Sequence, residues 1–90
     1  MFAYNDEYAM MLMRAIQDAG LQIPKDIAVV GCDDMALCRM LQPQLTSIQL
    51  APDTLGTEVA DFLDKLIRKE IPQHSLLNLM SPHMVIRESA

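Results

Sequence analysis

Along residues 6–20, DEYAMMLMRAIQDAG, apolar side chains recur at helical spacing: Ala9, Leu12, Met13, Ile16 and Ala19 fall at i, i+3, i+4 and i+7. That pattern predicts an amphipathic helix. Asn5-Asp6 reads as its N-terminal cap and Gly20 as its stop. Asp6 and Glu7 sit in the first turn, where the positive end of the helix dipole favours acids. Tyr8, Met11 and Ala15 add a second stripe, and Met10 projects from a third side. This helix is therefore either buried on several faces or meets a partner. A second periodic stretch, residues 53–69, aligns Leu55, Val59, Phe62, Leu63, Leu66 and Ile67, with Lys65, Arg68 and Lys69 in its last turns. Ile71-Pro72 ends it.

Outside these helices the apolar residues run without a period. FAY (2–4) is a short apolar run. Ile27 to Val30 is a continuous, β-branched-rich run, as expected of a strand covered on both faces. LTSIQL (45–50) reads as another strand, and MALCRMLQ (35–42) as a short helix stopped by Pro43. LLNLM (76–80) and HMVIR (83–87) close the chain as short apolar segments. The order is β-α-β-(α)-β-α-β-β, which predicts an α/β fold of three layers, α/β/α, with a mainly parallel sheet.

The length, 90 residues, suits one small domain that buries about 60–65% of its extended surface. Apolar residues make up 51% of the chain, which argues for a folded state. Twelve acids against seven bases leave a net charge of −5, so this segment is not expected to touch DNA itself. Cys32 and Cys38 are too few for a disulfide scaffold and too widely spaced for a zinc pair, so both read as reduced thiols. No secretion signal is visible and no apolar run approaches the ~20 residues of a membrane span. A cytoplasmic location without membrane contact is the expectation.

The apolar strand at 27–30 passes through Gly31 and Cys32 into two adjacent carboxylates, Asp33 and Asp34. In open α/β sheets ligands bind beyond the carboxyl ends of the strands. Asp33 lies at such an end, and Asn5 follows the FAY strand. If those strands are neighbours, both polar groups enter one crevice. A carboxylate accepts hydrogen bonds, whereas an Asn side chain both donates and accepts. Such a pair suits a sugar or a nucleobase and suits phosphate badly. The competing reading is that Asn5 or Asp6 caps a helix and that Asp33 and Asp34 cap the next turn. Catalysis fits less well: adjacent carboxylates are not opposed, His74 and His83 lie in late loops, and no nucleophile elbow or glycine-rich phosphate loop is present. No enzymatic activity, cofactor or metal is expected.

The motif IPKDIAVVGCDD (23–34), with PQLTSI following at 43–48, resembles the lactose repressor/galactose repressor (LacI/GalR) family of bacterial transcription regulators. AYNDEYAMMLMRAIQDAGLQIP (3–24), Leu55-Gly56 and the closing VIRES extend the resemblance through the whole chain. It implies the C-terminal part of an effector-binding core of type 1 periplasmic-binding-protein-like fold. The intact protein would then bind operator DNA through an N-terminal domain that is absent here. Residues 1–49 and 82–90 would belong to one subdomain, and residues 50–81 to a portion of the other. The resemblance also implies that Asp33 and Asn5 contact a small-molecule effector. Met10, Met11, Met13, Leu37 and Leu41 would belong to a homodimer interface, or make the fragment self-associate. A periplasmic-type solute-binding protein is the alternative on the same core. Three positions depart from the family pattern: Cys32 replaces an aromatic, Leu50 a Gln, and Glu70 a Gly.

Overall fold

A computed structural model describes residues 1–79 and 81–90. The chain divides into two compact units, residues 1–50 with 82–90, and residues 51–81.

The first unit is built on a mixed sheet ordered β1 (Val30–Cys32), β2 (Thr46–Gln49), β3 (His83–Val85). β1 and β2 are parallel, with Val30 opposite Thr46 and Cys32 opposite Ile48. β3 runs antiparallel to β2, so the sheet is less uniformly parallel than the strand order suggests. The FAY segment contributes a single parallel bridge, Phe2 to Val30, secured by Ala3 N–H donating to the Val30 carbonyl and Val30 N–H to that of Met1. Within the apolar run, Val29 is fully buried and its amide donates to Ser89 O at 2.9 Å, so regular pairing with β2 begins one residue later.

Helix α1 spans Asp6–Asp18. Its buried face is Ala9, Met13 and Ile16, which join Val29, Cys38 and Leu45 in one core cluster. The stop at Gly20 is a paired cap: Gly20 N–H donates to Gln17 O at 2.9 Å, and Leu21 N–H to Ile16 O at 3.1 Å. That geometry needs a residue with positive φ, and Gly20 sits at +79° without strain. MALCRMLQ yields one turn of 3-10 helix at Ala36–Arg39, with Cys38 facing the core.

The last residues strap the sheet. Ser89 is fully buried; its hydroxyl donates to Val29 O at 2.6 Å and accepts from Thr46 N–H at 2.8 Å. Glu88 and Ser89 amides both donate to Gln44 O.

The second unit carries helix α2 (Leu55–Ile67). It ends in the same paired cap as α1, with Glu70 N–H on Lys65 O and Lys69 N–H on Leu66 O. Here the positive φ, +59°, falls on Lys69 rather than on a glycine. No α2 residue is fully buried: Leu55, Val59, Leu63 and Ile67 are exposed, so its periodicity exceeds what its own unit covers. Residues 76–79 form no strand, and Met80 lies outside the described residues.

Candidate functional site

The parallel bridge from Phe2 to Val30 sets two strand ends side by side. Asn5 and Asp33 each follow their bridge residue by three positions, so both leave the sheet at the same end. Asn5 has extended backbone (φ −149°), and its side-chain oxygen accepts from Tyr8 N–H at 2.8 Å. It therefore caps α1. Its amide NH2, a donor, is the part of the side chain that this cap does not use.

The two carboxylates at the tip of β1 diverge. Asp34 turns inward: its Oδ1 accepts from Arg87 Nη2 at 2.7 Å, and the two side chains are 8% and 10% exposed. Arg87 Nη1 donates to Leu45 O at 2.7 Å, tying the pair to the start of β2. Asp33 is exposed, while its amide donates to Ile48 O at 2.8 Å and continues the β1–β2 ladder. Divergence requires unusual backbone. Asp33 has φ +104° and Asp34 φ +54°, both in a region that residues with a Cβ seldom occupy and that Asp and Asn tolerate best.

Asp6, by its place in the chain a first-turn acid, is a fully buried part of the site. Its Oδ1 accepts from the Ser47 hydroxyl at 2.6 Å and its Oδ2 from Met35 N–H at 2.7 Å. The signal lay in the spacing. Asp6 precedes Ala9 by three and Met13 by seven, so it stands on the core stripe of α1 rather than on its wet side. Gly31 makes room for it: a Cβ there would collide with Asp6 Oδ1. Among the described residues no buried side-chain polar atom lacks a hydrogen-bond partner.

Two thiols border this cluster. Burial, and then a thiol hydrogen bond to Asp6, push Cys38 up to about 12. Cys32 is also raised, first by burial and then by the nearby carboxylates of Asp33 and Asp6. A thiol whose folded pKa exceeds its unfolded value keeps its proton longer when folded. The folded state then binds more protons, and stability falls as pH rises from about 9 towards 12. We expect native Cys38 to resist alkylation at pH 8 while the half-buried Cys32 reacts. Replacing Cys38 with Ala should flatten the alkaline part of the stability curve, measured by urea titration at pH 8–11. An unchanged slope in that variant would refute the assignment.

Of the residues placed on a partner face, Met10 and Met11 are exposed, and Leu37 and Leu41 are half-buried. Met13 instead lies 3% exposed in the core, because its spacing puts it on the same stripe as Ala9 and Ile16. Met10, Met11, Met40 and Leu41 line a concavity of about 680 Å³ between α1 and the segment after the 3-10 helix, edged by Arg14, Gln17, Asp18 and Gln42. Gln17 Nε2 donates to Gln42 O at 2.9 Å and holds the two sides together.

Among the described residues no group of His, Cys, Asp and Glu could hold a metal, and no helix is long and apolar enough to cross a membrane.

The sequence profile of the periplasmic binding protein-like domain matches residues 1–90. The ribose operon repressor of Escherichia coli (strain K12) is 38% identical over 89 residues, covering 99% of this chain and 27% of that protein. An HTH-type transcriptional repressor PurR of Histophilus somni (strain 129Pt) is 34% identical over 88 residues, covering 98% of this chain and 26% of its own length. Among solved structures, the lac repressor dimer bound to operator and the anti-inducer ONPF superposes with a TM-score of 0.84 at 33% identity. That match covers 99% of this chain and 30% of the other. The chain thus spans about a quarter of the length of the curated relatives it matches.

Proposed function

The chain belongs to the periplasmic binding protein-like family, in the form carried by LacI-type regulators, and we propose that it supplies part of the effector-binding core of a cytoplasmic, ligand-responsive transcription regulator. Asp33 is its effector contact, assisted by the Asn5 amide. The apolar face made by the exposed Met10 and Met11 and the half-buried Leu37 and Leu41 is its homodimer surface, through which the 90-residue chain also self-associates. Residues 1–49 and 82–90 are one subdomain of the intact core, and residues 50–81 are a portion of the other.

The divergence of the two carboxylates carries this reading. A strand tip that only needed capping would have no reason to hold one acid outward in a disfavoured conformation while pairing the other with arginine. An outward carboxylate beside a capped asparagine presents acceptors and a donor to a neutral hydroxylated or nitrogen-rich ligand. An effector of this kind acts by binding one arrangement of the protein more tightly than another. DNA reading would fall to a part of the regulator other than this acidic segment.

The test is calorimetric titration of sugars and nucleobases into the full-length regulator. Asp33→Ala should weaken the effector that binds by roughly tenfold or more, since a hydrogen bond to a charged group is lost. Its thermal midpoint should fall slightly, because Ala tolerates a φ of +104° less well than Asp does; Asp33→Gly, which adopts that φ freely, should lose the same affinity without that strain. Unchanged affinity in Asp33→Ala would refute the role of Asp33.

A further inference from the structure

We infer that Asp6 is the positioning residue of the acidic strand tip: its carboxylate holds the Asp33–Asp34 turn in the left-handed backbone region and thereby aims the Asp33 side chain outward. The backbone part of this inference is independent of ligand; its consequence for recognition rests on the proposed role of Asp33.

Three consecutive amides lead out of β1, and each has a different acceptor. Asp33 N–H donates to Ile48 O at 2.8 Å. Asp34 N–H donates to the Ser47 hydroxyl at 3.0 Å. Met35 N–H donates to Asp6 Oδ2 at 2.7 Å. The first bond belongs to the sheet and the other two depend on side chains. A hydroxyl has one proton. In Ser47 that proton points to Asp6 Oδ1 at 2.6 Å, which leaves a lone pair facing the Asp34 amide. The Asp6 carboxylate therefore governs two amides, one directly and one by orienting Ser47.

The turn needs this restraint. Two adjacent residues with a Cβ stand at φ +104° and +54°. Such backbone persists where the surroundings over-determine it. Arg87 cannot supply the restraint alone, because it grips the Asp34 side chain and leaves the amides untouched. Asp6 is itself fixed: it opens α1, is fully buried, and lies so close to Gly31 that its Cα would stand 3.3 Å from a Cβ there. A packed helix thus transmits its position to a strand tip through one carboxylate.

The alternative is that Asp6 only anchors the start of α1. Isotope-labelled chains of residues 1–90 separate the two. Backbone chemical shifts and HN–Hα couplings at 33–35 report the conformation of the turn, and urea titration reports the unfolding constant. In Asp6→Asn, which retains one acceptor, α1 shifts should persist while Asp33 and Asp34 leave the positive-φ signature. Ser47→Ala should displace Asp34 and spare Met35. Asp33→Gly, which tolerates positive φ unaided, should recover about threefold of the unfolding constant lost in Asp6→Asn. A folded Asp6→Asn chain with the native signature at 33–34, or strict additivity with Asp33→Gly, would overturn the inference. Should Asp6→Asn fail to fold, Ser47→Ala and its combination with Asp33→Gly decide by the same two readouts. Failure of every effector to bind the full-length regulator would remove the role of Asp33 and leave these results intact.

Discussion

Replacing Gly31 with Ala is expected to destabilise the chain by about 3 kcal/mol, because a methyl group is forced into filled space and buried hydrogen bonds are broken to make room. The added Cβ would collide with Asp6 Oδ1 and stand 3.1 Å from Leu45 Cδ2. Neither neighbour can yield cheaply. Leu45 is fully buried, and the Asp6 oxygen is held by the Ser47 hydroxyl at 2.6 Å. Relief would require the first turn of α1 to back away from β1, which surrenders the bonds to Ser47 and Met35 together. Gly56 offers an internal control, since a Cβ there meets nothing within 4 Å. Gly56→Ala should stabilise α2 by about 1 kcal/mol through helix propensity. Urea unfolding of both variants checks the pair. The Gly31 effect should appear in the midpoint with the slope unchanged. A cost below about 1 kcal/mol at Gly31 would show that the core relaxes around Asp6.

Much of this arrangement can be read from residue spacing, and what escapes does so for definable reasons. α1 follows from the Ala9, Met13, Ile16 stripe, and its end from a glycine whose positive φ completes a paired cap. The strand at 46–49 follows from an apolar run bounded by turns, whereas of the run at 27–30 only Val30 enters β1, because the Val29 amide is taken by Ser89 O and Ala28 is exposed. The antiparallel sense of β3 is not local information: a three-residue segment acquires its direction from where the chain re-enters the sheet. For α2, periodicity fixes the helix and its apolar face but says nothing about the cover, and Leu55, Val59, Leu63 and Ile67 stay exposed. At the strand tip, sequence reading located the acids and missed their division of labour. A pair of adjacent aspartates carries no mark of which one an arginine 53 positions away will claim. Asp6 was legible in principle, because it lies on the buried stripe, but a helix-dipole explanation for a first-turn acid was sufficient to hide it.

That distant arginine is the site of a second large expected effect. Arg87→Met should cost about 3–5 kcal/mol, since removing one partner leaves the Asp34 carboxylate buried without a counter-charge. The guanidinium spans two elements, donating to Asp34 Oδ1 and to Leu45 O, each at 2.7 Å. The backbone amide of residue 87 still donates to Thr46 Oγ1 at 2.8 Å, and Glu88 and Ser89 keep their bonds to Gln44, Val29 and Thr46, so the segment after β3 stays attached in the variant. The loss should therefore come from charge rather than from detachment. Asp34→Asn isolates that charge, because Asn tolerates the φ of +54° as well as Asp does. In the Arg87→Met background it should return about 2 kcal/mol, measured by urea titration at neutral pH, since a neutral amide is less costly to bury than an unpaired carboxylate. In the presence of Arg87 the same substitution should destabilise, because it strands the guanidinium. This opposite sign in the two backgrounds is the result an ion pair produces. A double variant no more stable than Arg87→Met alone would mean that the arginine acts through the Leu45 carbonyl. Asp34 would then be inward for the sake of the turn and not for its charge.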